Sequence, residues 1–447
     1  MRNKKNLTSP LRSALLLTVL LTLTAGSAMQ AQNKKKADNK ATTPKVAIVD
    51  DEECGCELFF VDGIQTIRRD GLFGFKLEDG TVIVKPQYMF VDRFQDGFCI
   101  VYHNYDSCGV INRQGREVVP AIYAEVSQPS DGMIRVKKGN LYGFFDTLGH
   151  LCVDFQYRAA SGFFEGLAAV LVDHDSNFCD YGYIDHQGRM KLPAQYEYAF
   201  PFHEGYAVVK KYDRYGMIDT NGNEVLPTKY GEVATRTDGC VFVSDVSGKI
   251  AMFNSKFKQV TPFIYDGIAA YAEGYFTVVR NGQCTFLDTK GKECFGLYED
   301  AGKFKDGYVM VKRNGRYGII DKRGKTVLPF EYDNSGYHAS LYVYYEGLAM
   351  VERDGRYGFV DTDGKMVIPL INESAHHCTE GLIPVKRNGK WGYIDTKGAD
   401  AIAFEFEEAS YFEWGRAEVL YNGVTYKINP QGQCVKNCKT FPKIWHR

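Results

Sequence analysis

Short apolar runs of four to six residues recur along the chain, each broken by a turn dipeptide and followed by a second run of the same kind. The clearest stretches are Tyr308-Val-Met-Val-Lys-Arg-Asn-Gly-Arg-Tyr-Gly-Ile-Ile-Asp and Leu348-Ala-Met-Val-Glu-Arg-Asp-Gly-Arg-Tyr-Gly-Phe-Val-Asp, which align without a gap. Runs this short, rich in Val, Ile, Tyr and Phe, predict β-strands rather than helices. The dipeptides Asn281-Gly282, Asn314-Gly315, Asp354-Gly355, Asn388-Gly389 and Asn422-Gly423 separate such runs. They predict tight hairpins, because both central residues of a type I′ turn need positive φ.

After each hairpin turn comes an aromatic-Gly pair (Tyr142-Gly143, Tyr181-Gly182, Tyr215-Gly216, Trp391-Gly392), then an acid with a glycine three residues on: Asp185 and Gly188, Asp219 and Gly222, Asp321 and Gly324, Asp361 and Gly364, Asp395 and Gly398. An aromatic ring beside glycine suits cross-strand cover of bare backbone. The acid is expected to bond the backbone ahead of it, and the glycine to take a left-handed turn. A third strand is expected to stop at Pro120, Pro193, Pro227, Pro329 or Pro369. Units then end on Phe-x-x-Gly or Glu-Gly, at Gly166, Gly205, Gly274, Gly307, Gly347 and Gly381. The whole pattern recurs about every 34 residues, about eleven times. Weaker copies at Ile250-Ala251 and Cys284-Thr285 lack the aromatic-Gly pair.

This arrangement resembles the WG repeat family, named for its Trp/Tyr-Gly pair, from about Cys56 to Gly432. The resemblance implies a bacterial, frequently exported repeat protein and no particular activity. The expected fold is all-β: a tandem array of short antiparallel hairpin units over residues 46–435, each unit relying on its neighbours for a core. About eleven short units favour an open solenoid or superhelix over a β-propeller, which is the alternative.

The N-terminus reads as an export signal over residues 1–31. Basic Arg2, Lys4, Lys5 and Arg12 precede an apolar run from Ala14 to Ala25 and small residues up to Ala31. That run is roughly 12 residues against the ~20 needed to cross a bilayer, so no transmembrane segment is expected once it is cleaved. Residues 32–45 read as a polar, disordered leader and 436–447 as a tail. An exported location, periplasmic or extracellular and cell-surface, follows from this reading.

With 54 Lys plus Arg against 55 Asp plus Glu, the chain has no global field for nucleic acid. Twelve cysteines are scattered across repeat phases. Local pairs such as Cys99 with Cys108 or Cys434 with Cys438 could close, and reduced buried thiols are equally open. The Asp-x-x-Gly turns lack the dense acidic loop of a calcium site. His376-His377-Cys378 and Cys54-Gly55-Cys56 are soft-ligand clusters without partners at metal spacing. No nucleophile elbow, phosphate loop or dinucleotide fingerprint appears, so no catalytic residue, cofactor or metal is assigned. The candidate binding surface is the aromatic stretch containing Tyr342, Tyr344 and Tyr345, against the favoured alternative that strand alternation sends half of these rings into the core; a protein partner in the envelope is favoured over a glycan.

Overall fold

The computed structural model describes residues 60–61, 63–173, 179–234, 237–333, 344–436 and 438. The expected signal and leader, Cys54-Gly55-Cys56 and Tyr342 lie outside them. Among the described residues there are strands and turns, and no helix long and apolar enough to cross a membrane. They fall into two compact lobes, an N-terminal lobe within residues 27–235 and a C-terminal lobe within 236–447.

Each lobe is a series of small antiparallel sheets whose strands are hydrogen-bonded in sequence order. A sheet of the N-terminal lobe comprises Phe90–Val91, Phe98–Asn104, Ser107–Asn112 and Glu117–Tyr123. In the C-terminal lobe, Ser374–Ala375, Leu382–Arg387, Lys390–Asp395 and Asp400–Phe406 repeat the plan. The Asn-Gly and Asp-Gly hairpins have the expected backbone, as at Asn314 (φ 50°) and Gly315 (φ 75°).

The two inner strands of a sheet are buried on both faces because sheets stack face to face. Val309, Val311 and Ile320, with Phe304 of their own sheet, pack with Phe286 and Tyr298 of the preceding sheet, whereas Met310 and Ile319 pack with Ala349, Val351 and Val360 of the following one. Each fully buried Val or Ile contributes about 1.5–3 kcal/mol, an amount no single sheet could collect on both faces. The outer strand instead alternates, as Thr326–Tyr332 does with Leu328 and Tyr332 inward.

The acid of each Asp-x-x-Gly segment closes its turn as expected. Asp321 Oδ1 accepts from Arg323 N and Lys325 N at 2.9 Å each, and Asp219 Oδ1 from Asn221 N and Asn223 N at 2.9 Å. The glycine has a further task. A Cβ on Gly364 would collide with Val327 O, and one on Gly149 would stand 2.8 Å from Val118 O, both in the preceding sheet. Absence of a side chain there sets how closely sheets approach.

One expectation needs correction. The third long strand does not stop at proline. Pro329 lies inside Thr326–Tyr332, where Pro329-Phe330-Glu331 bulge between Leu328, opposite Ile319, and Tyr332, opposite Tyr317. A bulge leaves N–H groups out of the ladder, so proline fits there. The aromatic-Gly glycine serves this bulge: a Cβ on Gly318 would lie 2.8 Å from Leu328 O, and one on Gly74 2.5 Å from Val84 O. Of the two cysteine readings left open by the sequence, Cys99 and Cys108 follow the buried-thiol one, donating to Asp92 O at 3.1 Å and Tyr123 O at 3.2 Å. Cys434 and Cys438 do form a disulfide.

Candidate functional site

The Glu-Gly unit ends are a second set of tight turns. Glu273, Asp306, Glu346 and Glu380 have φ near 50° and each precedes a glycine at positive φ. The carboxylates of Glu273, Glu346 and Glu380 reach the next repeat. Glu273 accepts from Asp306 N at 2.7 Å and Gly307 N at 3.0 Å; Glu346 accepts from Glu380 N at 2.7 Å and Gly381 N at 2.8 Å; Glu380 accepts from Gly415 N at 3.0 Å. In the N-terminal lobe Glu165 does the same for Gly205 N at 2.7 Å. The turns at Gly205, Gly307, Gly381 and Gly415 are thus held by the same turn one repeat earlier, which satisfies exposed backbone donors with a charge-assisted bond.

The last repeat departs from this scheme. Trp414 stands where the acid would be, at φ 56°, and is 89% exposed. It belongs to the loop between Glu408–Ala409 and Ala417–Tyr421 that also carries Tyr411, itself 41% exposed. Beside this loop lies a groove of about 780 Å³. Its walls include His376, His377, Trp391 and Tyr411, with the carboxylates of Glu407, Glu408 and Glu418 and the ammonium of Lys386.

The aromatic rings of the groove pack on one another. His376 stacks on Trp391 with centroids 4.9 Å apart and planes at 11°. His377 lies between Tyr345, at 4.1 Å, and Tyr411, at 4.8 Å, so this column draws one ring from each of three successive repeats. Burial holds both imidazoles below the usual histidine range, with His377 adding to the effect on His376. Neutral rings are favoured because the stack replaces the water a charged ring needs.

Cys378 turns away from this assembly. It is buried, its Sγ donates to Glu346 Oε2 at 3.2 Å, and burial followed by the Glu346 carboxylate pushes its thiol up to about 12. The His376-His377-Cys378 run therefore does not converge as a ligand set. Among the described residues no three His, Cys, Asp or Glu side chains are grouped to hold a metal ion.

Of the tyrosines singled out from sequence, Tyr344 is enclosed in the core at 7% exposure, its ring edge-on to Tyr308 at 5.0 Å. Burial raises its hydroxyl pKa. Tyr345 is half-buried and belongs to the His377 column. Sequence reasoning gives Trp391 a structural role alone, and Tyr411 and Trp414 carry no motif. A tryptophan in a slot otherwise held by an acid is the available signal for the last.

Comparison with known proteins agrees with the repeat architecture. A family model described as WG containing repeat matches ten segments between residues 73 and 424: 73–105, 109–142, 142–173, 181–215, 215–245, 252–284, 285–317, 317–357, 357–391 and 391–424. No curated protein matches the chain. Solved structures with some likeness include BamB from Moraxella catarrhalis, at 10% identity and TM-score 0.25, over 68% of this chain and 95% of that one. Hsv2p from Kluyveromyces lactis has 10% identity and TM-score 0.29, over 51% and 89%. The extracellular domain of the putative hybrid two component system BT3049 from B. thetaiotaomicron has 11% identity and TM-score 0.23, over 89% and 71%. At these scores the likenesses carry no functional argument. The family matches, together with the aromatic-Gly, bulge and Asp-x-x-Gly geometry, make this chain a member of the WG repeat family.

Proposed function

We propose that the protein is an exported, non-catalytic binding protein of the bacterial cell envelope, and that it engages a protein partner through the groove and loop of its last two repeats. The observation that carries this reading is the ring packing in the groove. Inside the groove, a glycan would need a free aromatic face for the sugar to lie on. Here His376 covers a face of Trp391, and His377 lies between Tyr345 and Tyr411. What remains is a walled groove with charged rims and an adjacent exposed tryptophan, the composition of an interface anchor. Export rests on the basic and apolar pattern of residues 1–31.

A photo-crosslinking residue placed at Tyr411 in the full chain, expressed in a bacterial envelope, tests the reading. A discrete protein adduct, with an intact mass indicating cleavage after Ala28 or Ala31, is the expected result. Binding on a glycan array that disappears in Tyr411→Ala, with no protein adduct, would overturn it in favour of a sugar ligand.

A further inference from the structure

We infer that the partner inserts a basic side chain, arginine or lysine, of an extended protein segment into the groove and packs apolar surface on Trp414. This rests on the protein-binding reading above and adds the chemistry of the bound segment.

The first observation is the charge of the groove. Glu407, Glu408 and Glu418 line it against the single ammonium of Lys386. Glu418 already faces Lys427 at 3.2 Å, and Glu407 accepts from Gly423 N at 3.2 Å. The Glu408 side chain has no hydrogen-bond or ion-pair partner among the described residues, so its carboxylate is available to an incoming cation. Carboxylates suit guanidinium or ammonium, which gain charge-assisted hydrogen bonds. An acidic segment would meet three like charges in the groove.

The second observation is independent of charge. At the first position of the tight turn, the preceding repeats of this lobe use Glu273, Asp306, Glu346 and Glu380, each making bonds to the following repeat or, for Asp306, receiving one. Trp414 keeps the backbone of that turn while presenting an indole to solvent at 89% exposure. A tryptophan can bury roughly 150–250 Å² on docking and is among the residues most often found as an interface anchor. Tyr411 ties the two features together, since it lines the groove and lies three residues before Trp414 in the same loop.

The test uses the full mature chain and three sets of fluorescein-labelled 12-residue peptides that share aromatic content and differ in charge: arginine-bearing, the same positions as glutamine, and the same positions as glutamate. Fluorescence anisotropy is expected to show binding by the arginine set. Affinity should fall at least 10-fold in the double variant Glu407→Gln, Glu408→Gln, and at least 10-fold in Trp414→Ala. The glutamine exchange keeps an acceptor for Gly423 N, and Trp414 is exposed, so unchanged thermal melts are expected and separate lost binding from lost folding. Equal binding by the three sets, binding by none of them, or arginine-peptide binding unaffected by both variants overturns the inference. A Tyr411 crosslink to a partner segment that proves neutral or acidic also overturns it while leaving the protein-binding reading intact; a glycan ligand without a protein adduct removes both.

Discussion

The repeat from Tyr308 to Tyr332 and the one before it, from Tyr275 to Tyr298, solve the same close approach in opposite ways. In the later repeat Gly318 faces the bulge, and the bulging strand carries ordinary side chains at Pro329, Phe330 and Glu331. In the earlier one the glycine position holds Thr285, whose Oγ1 donates to Gly296 O at 2.9 Å. Relief comes from the facing strand, where Phe295 and Gly296 take φ values of 69° and 87°. The glycine has moved across the sheet. What both repeats keep is the shared core, in which Phe286 and Tyr298 meet Phe304, Val309 and Ile320. Stacking on a neighbour is the invariant, and the local chemistry bends to preserve it.

Substitutions can break that comparison. The largest effect is expected from Gly318→Ala, whose new Cβ would lie 2.8 Å from Leu328 O and 3.1 Å from the Phe330 ring. A cost of about 2–3 kcal/mol, read from the denaturant midpoint, follows from overpacking against backbone. Gly296→Ala meets open space but needs φ 87°, so about 1–2 kcal/mol is expected from backbone strain alone. Should the two substitutions cost the same, the distinction between close approach and turn conformation fails.

Glu346→Ala sharpens the picture between repeats. It removes acceptors for Glu380 N, Gly381 N and the Cys378 thiol, for a loss of about 1 kcal/mol. Faster amide exchange at Glu380 and Gly381, with Gly415 unchanged, is the expected signature, because Gly415 N bonds to Glu380. The smallest effect is that of mild acid. The His376 and His377 imidazoles titrate below 6.5 in the folded chain, so the unfolded chain binds more protons as pH falls through that value. Stability contributed by the ring column is then full above about pH 6.5 and declines below it. Histidine proton resonances followed from pH 8 to 4 should titrate below those of a denatured control.

Much of this is legible in sequence where one residue type does a job few others can. Asn314-Gly315 and its counterparts announce positive φ, and Asp321 with Gly324 announces its turn. The second family of turns is harder to read, because Glu273 or Glu346 has no local preference for positive φ and its bonds go to a repeat about one period away. The prolines mislead because a strand end and a bulge both lack a ladder N–H, and a single sequence offers the same residue for either. In the sequence the groove shows only as a pair of histidines. Its character comes from Tyr345, Trp391 and Tyr411, which the stacking of repeats brings beside them.

The claim that each sheet is stabilised by its neighbour is tested most directly by residue-resolved amide exchange on Phe286→Ala in the full chain. Phe286 is fully buried and its ring lies 5.3 Å from Phe304. The account predicts lost protection in Tyr308–Arg313 and Arg316–Asp321 of the following sheet as well as in Gln283–Asp288, with Lys390–Asp395 little changed. Lost protection confined to the sheet containing Phe286 would contradict it.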